Sequence, residues 1–142
     1  MAIELIPLCT ARITLVVPPP LELAGTPVGT RVPIEMTNIV YEGERLSGCL
    51  AGPSAVDYLL VGEGEVGAID VRFILRTDDG ALIHVSYRGR GDHSQGPGAL
   101  PLYSAPLFET GDPRYAWLNV VQAVGKGIVV GDVIEYEIYE VR

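Results

Sequence analysis

The sequence predicts an all-β protein that closes as a single antiparallel β-barrel of about eight to nine strands with little helix. Three observations lead there. The 17 glycines and 11 prolines interrupt the 142 residues every few positions, which leaves no window with a helical apolar period. The segments between them are rich in Val, Ile, Thr and Tyr, residues that fit a pleated surface. Successive strands joined by short turns, with no helix to cover a sheet face, hide apolar surface either by closing into a barrel or by stacking as a sandwich.

The expected strands are residues 8–17, 31–41, 45–51, 57–62, 66–77, 81–90, 102–109, 115–124 and 132–141. The first ends at Pro18-Pro19-Pro20, which cannot donate ladder hydrogen bonds and leads into a loop through Gly25 and Gly29. Thr77-Asp78-Asp79-Gly80 joins two long strands, its Asp-Gly pair supplying the positive φ of a tight hairpin. Gly91 to Gly98 (GDHSQGPG) reads as a loop at one end of the sheet. Gly125-Lys126-Gly127, or a short loop reaching Gly131, returns the chain to its last strand.

The faces of two strands favour the barrel and suggest more than one subunit. In 115–124, Tyr115, Trp117, Asn119, Val121 and Ala123 share one side while Ala116, Leu118, Val120, Gln122 and Val124 share the other, so neither looks solvated. A lumen takes one face; a terminal segment or second subunit must cover the other, hence an expected homo-oligomer. In the last strand Ile134, Tyr136 and Ile138 lie opposite Glu135, Glu137 and Tyr139, so one of its faces meets water.

Composition narrows the function classes. One domain spanning residues 1–142 is expected from the length, and 48% apolar residues with a mean hydropathy of +0.29 argue against disorder. No apolar run reaches the roughly 20 residues of a membrane helix. A net charge of −8 repels phosphate backbones and anionic lipid alike, so neither nucleic acid nor membrane is an expected partner. Residues 1–17 hold Glu4, Pro7 and Arg12 and show no export signal, and with only Cys9 and Cys49 the expected location is a reducing cytoplasm. A Cys9–Cys49 disulfide is the alternative.

With these pieces placed, the chain resembles a small bacterial family, the domain of unknown function 3237, also known as uncharacterised protein family 0311. The resemblance is carried by Gly43 to Gly48 (GERLSG), Asp57-Tyr58, Asp70-Val71-Arg72, Thr77-Asp78-Asp79-Gly80-Ala81 and Tyr87-Arg88-Gly89. Above all it rests on Phe108 to Asn119 (FETGDPRYAWLN), and it closes with Tyr139-Glu140-Val141. It implies an antiparallel barrel similar in outline to allene oxide cyclase-like and lipocalin-like barrels, often oligomeric, without a settled activity. The chain departs from the family pattern in having Thr37-Asn38 for a Gly-Gly pair, Glu44 for a Pro, Tyr58 for a Trp, and no Arg near Ser104. An arginine and an aromatic altered in the lumen would imply a different ligand.

Candidate chemistry concentrates between Tyr103 and Gly127. Glu109 at a strand end before Gly111-Asp112-Pro113 reads as an acid or base at the barrel mouth, or as a carboxylate bonded to backbone amides or paired with Arg114. Asp57 reads as a loop cap or as a second inward carboxylate. Arg72, mid-strand with Asp70 and Ile74, is expected on the lumen side, where a guanidinium holds a carboxylate or an enolate. Tyr58, Tyr87, Tyr103, Phe108, Tyr115 and Trp117 are candidate pocket walls, or plain core. Asn119 and Asn38 are candidate ligand contacts, since a buried amide requires a partner. His84 and His93 do not repeat at metal-ligand spacing with the cysteines, and no phosphate loop or Gly-x-Ser-x-Gly elbow is present, so no metal or cofactor is expected.

The expected function is a cofactor-independent enzyme of the isomerase, cyclase or lyase type. It would act on a small, partly apolar molecule in the lumen, with Glu109 or Asp57 moving a proton and Arg72 with a tyrosine steadying an oxyanion. The competing expectation is a non-catalytic carrier or sensor. A third is a barrel filled by its own side chains.

Overall fold

The computed structural model describes all 142 residues. Ten strands follow in order: β1 (Leu5–Leu15), β2 (Leu23–Thr26), β3 (Gly29–Glu42), β4 (Gly48–Leu50), β5 (Val56–Val61), β6 (Val66–Thr77), β7 (Leu82–Asp92), β8 (Leu102–Glu109), β9 (Ala123–Val130) and β10 (Val133–Val141). Helix is confined to two 3-10 segments, Glu63–Glu65 and Pro113–Val120.

The expected barrel is present. β1 lies between β3 and β10, its Ala11 opposite both Tyr41 and Tyr136 and its Ile13 opposite both Ile39 and Ile134. Antiparallel pairing then runs from β3 through β5, β6, β7, β8 and β9 to β10, which closes an eight-stranded ring. β4 lies in line with β5 between β3 and β6, and β2 folds back on β3 as a short extension. Closure removes the exposed edges that an open sheet must protect.

Alternation along each strand sorts side chains between lumen and exterior. In β6, Ile69, Val71, Phe73 and Leu75 are buried, while Arg72 and Arg76 are exposed. Tyr41 meets Phe73 edge to face at 6.0 Å. Closer to the opening, Tyr87 and Tyr136 pack in the same manner at 6.1 Å. The Tyr136 ring has room only because β9 carries Gly125 and Gly127 beneath it. A Cβ on Gly127 would come within 2.6 Å of that ring, and one on Gly125 within 2.6 Å of the Ser104 hydroxyl.

Residues 115–122 are not a strand, and only Ala123 and Val124 of the expected 115–124 belong to one, which corrects the expectation from alternation. Pro113 starts the 3-10 helix, and Asp112 caps it by accepting a hydrogen bond from the Arg114 N–H at 3.0 Å. Tyr115, Leu118 and Val121 recur every three residues, the 3-10 period, and turn toward the core, with Leu118 fully buried. Gly125-Lys126-Gly127 is accordingly mid-strand, and Gly131, at φ 65°, forms the turn into β10. The two-faced strand on which a second subunit was expected is therefore absent. Cys9 and Cys49 are both free thiols, so the alternative disulfide is absent as well.

The two barrel ends differ. Loops 43–47, 78–81 and 110–122 seal one end, with Leu46 and Leu118 buried beneath them. Loops 16–22, 62–65, 93–101 and 131–132 surround the other, which is open. Gly127→Val forces β9 or the Tyr136 ring to move, and is expected to lower stability by about 1–3 kcal/mol. Lys126→Val, on the exposed face one position away, is expected to leave the urea midpoint unchanged and serves as the control.

Candidate functional site

From the open end a cavity of about 730 Å³ enters the lumen. Its walls are aliphatic, formed by Leu15 of β1, Val32, Ile34 and Met36 of β3, Leu59 of β5 and Ile134 of β10. Asp57, Tyr87 and Tyr136 form its polar floor, and Glu22, Glu65 and His93 stand among the rim residues. Pro18 and Pro19 belong to the rim as well, so the loop after β1 borders the opening.

The strand pleat puts Asp57 inside. Asp57 and Leu59 of β5 are buried while Tyr58 between them is 54% exposed, and Asp57 lies opposite Val71 of β6, another lumen residue. One Asp57 oxygen accepts a hydrogen bond from the Asp70 N–H at 3.0 Å, and no ion pair reaches the carboxyl. Burial raises its pKa from an ordinary 3.8 to about 7, the Asp70 N–H pulls it back in part, and the Asp70 carboxylate adds to the rise. Near neutral pH this acid both gives and takes a proton.

The phenols beside it stay protonated. Burial pushes Tyr87 well above the usual phenol value, with Tyr136, Tyr41 and Asp57 each adding to the shift. Tyr136 rises chiefly by burial and next through the Asp57 charge, while the Ser104 hydroxyl offsets part of this. The floor thus joins one carboxyl titrating near neutrality to two O–H donors that do not titrate. Such a set can move a proton on a bound molecule and steady an oxygen that gains negative charge.

Of the residues singled out in the sequence, Asp57 and Tyr87 line this cavity. Arg72 does not: Val71, Phe73 and Leu75 take the lumen side of β6, so the guanidinium projects outward. Glu109 is exposed at the sealed end, opposite His84 in the β7–β8 ladder, away from Asp57. Tyr103 and Asn38 are exposed, as is Tyr58. Phe108 is buried in the core without bordering the cavity.

Tyr115, Trp117 and Asn119 belong to the plug at the sealed end. The Tyr115 hydroxyl donates to Asp79 at 2.9 Å, and Arg45 lies over the Trp117 ring at 4.5 Å. Asn119 accepts from the Thr110 N–H at 2.8 Å and donates to the Thr110 carbonyl at 3.0 Å, so its partner is the protein itself. Of the altered family positions, Tyr58 faces out and Ser104 faces in.

Sequence reasoning missed Tyr136 and the rim residues Glu22 and Glu65. Tyr136 had two signals: its place between Ile134 and Ile138 on the buried side of β10, and two glycines at alternate positions in the neighbouring strand. Glu22 and Glu65 lie in loops, where no periodicity reports direction.

The Asp57 shift makes stability depend on pH. A carboxyl whose folded pKa lies above its unfolded value binds more proton in the folded state, so stability falls as pH rises. The fall runs from about pH 4 to about pH 7 and totals up to ~4 kcal/mol. Asp57→Asn keeps the acceptor for the Asp70 N–H and removes the charge. The variant is expected to be the more stable protein near pH 8, with the difference closing toward pH 4 in urea titrations.

Comparison with known proteins places this geometry. Residues 3–141 match the family model described as "Protein of unknown function (DUF3237)". A UPF0311 protein of Rhodopseudomonas palustris is 27% identical over 130 residues, which cover 82% of each chain. The crystal structure of a beta-barrel like protein from Acinetobacter baumannii aligns with a TM-score of 0.84 and 30% identity, covering 100% of this chain and 98% of that one. A structure from Penicillium herquei described as an enzyme aligns with a TM-score of 0.73 at 22% identity, covering 99% and 94% of the two chains, and at that identity it speaks for the fold alone. The chain belongs to the DUF3237 family of β-barrel proteins.

Proposed function

We propose that the protein is a cofactor-independent enzyme of the isomerase, cyclase or lyase type, acting on a small, partly apolar molecule in the lumen. One observation carries this: a carboxyl with a pKa near 7 sits without a counter-ion at the floor of a largely aliphatic cavity, beside two buried phenols. In this reading Asp57 moves the proton, and Tyr87 with Tyr136 steadies the oxygen on which charge develops. The aliphatic walls exclude water and hold the substrate in one reactive shape. Glu109 and Arg72, being outside, have no part in it.

A second reading is favoured by the same walls. A carrier needs an apolar cavity and no proton transfer, and the floor offers one carboxyl rather than a convergent acid and base pair. Solvent isotope separates the two. The intact protein is incubated in D2O with a small-molecule extract, which is then examined by mass spectrometry. The enzyme reading expects a compound that gains deuterium only when protein is present, at a rate that rises as pH passes about 7. Asp57→Asn is expected to slow that exchange by about 100-fold or more while keeping the fold. A compound retained in native mass spectra that never acquires label establishes the carrier instead.

A further inference from the structure

The side chains around the cavity also specify the charge of what enters it, on the reading that this cavity is the ligand site. Three carboxyl groups reach it: Asp57 at the floor, Glu22 and Glu65 at the rim. No lysine or arginine lines it, and His93 is the one basic side chain that does. Arg31, on β3, donates to the Tyr58 carbonyl at 2.9 Å, and Arg90, on β7, folds back to the Gly89 carbonyl at 3.0 Å. Neither is among the lining residues. His93 presses Nε2 against the backbone of Gly67 and Gly91, where an added Cβ would come within 2.6 and 3.0 Å of it, and that nitrogen is buried without a partner. Neither rim glutamate takes part in an ion pair.

A carboxylate or phosphate entering this space would lose hydration and find no cation in return, with two glutamates beside its path. The molecule's charge of −8 opposes its approach as well. An uncharged molecule meets none of these costs. The floor then sets its polarity. Tyr87 is 4% exposed, lines the cavity and has no protein hydrogen-bond partner, and the second oxygen of Asp57 carries no hydrogen bond. With protonated Asp57 and with Tyr136, whose hydroxyl is also met by Ser104, these are O–H groups at the end of an aliphatic space, so the complementary ligand atom is an acceptor oxygen.

We propose that the cavity selects uncharged molecules, an apolar body with a ketone- or aldehyde-type oxygen leading inward, and turns away carboxylates and phosphates. A matched set of nine-carbon probes tests this: 2-nonanone, nonanoate and nonylammonium, titrated into the intact protein near pH 6, where Asp57 holds its proton and nonanoate is still ionised, and followed by ligand-observed saturation-transfer NMR with calorimetry. 2-Nonanone is expected to bind at least tenfold more tightly than nonanoate. Glu22→Gln with Glu65→Gln, both at exposed positions, is expected to narrow that gap by about tenfold.

Equal or tighter binding of nonanoate overturns the proposal, as does binding of none of the three. Tighter binding of nonylammonium than of the ketone replaces the uncharged class by a cationic one, and an unchanged gap in the double variant removes the glutamates from the selection. The preference is read at equilibrium without turnover. A missing deuterium label therefore leaves it standing, and a reversed preference leaves the proton-transfer reading to its own test.

Discussion

Closure through β1 is the constraint on which the rest depends. Because β1 pairs with β3 on one side and β10 on the other, every strand of the ring has two neighbours and the pleat alone decides what faces in. Each inward residue must then either help fill the lumen or border a space. The sealed half fills it, with Tyr41, Phe73, Leu75, Ile83 and Val85 nearly devoid of exposure. The open half leaves a cavity because the strands end in loops there rather than in a packed helix.

The polar residues at the two ends differ in how far they are engaged. At the sealed end Asp112, Arg114, Tyr115 and Asn119 are occupied with one another, with Thr110 or with Asp79, and these contacts hold the 3-10 helix across the barrel. Groups so engaged have little capacity left for a ligand. At the floor of the cavity the polar groups have few partners, and unsatisfied capacity beside an aliphatic wall is what a small-molecule site requires.

The sequence disclosed the strands of the barrel through Gly and Pro punctuation between runs of Val, Ile, Thr and Tyr and through the alternation of β10. It misled at 115–124, because a 3-10 helix and a two-sided strand both scatter apolar residues without solvated gaps, and only the spacing of Tyr115, Leu118 and Val121 separates them. That error placed the expected chemistry at the sealed end of the barrel, away from the cavity. Asp57 and Tyr87 were legible as residue types, but their partnership is not local: it depends on β5 and β7 flanking β6 and on β10 crossing beside them. Arg72 was placed inside on the ground that a mid-strand charge usually has a partner, whereas in a barrel the whole outer face is available to solvated charge.

Two inward-facing acids in one barrel show why Asp57 stands apart. Glu140, buried at the sealed end, is met by Arg45 at 2.7 Å and Arg142 at 2.9 Å, and these hold it below the usual carboxylate range. The fold can therefore place cations against an inward carboxylate where it needs one ionised, and Asp57, deeper inside the barrel, receives none. Ionising it costs stability that a neutral Asn in its place would not. A requirement for packing alone would be met by such a side chain, so packing does not account for the acid. Burial lifts its pKa toward neutrality and no cation offsets the rise, and the same lack of cations makes the cavity inhospitable to anions.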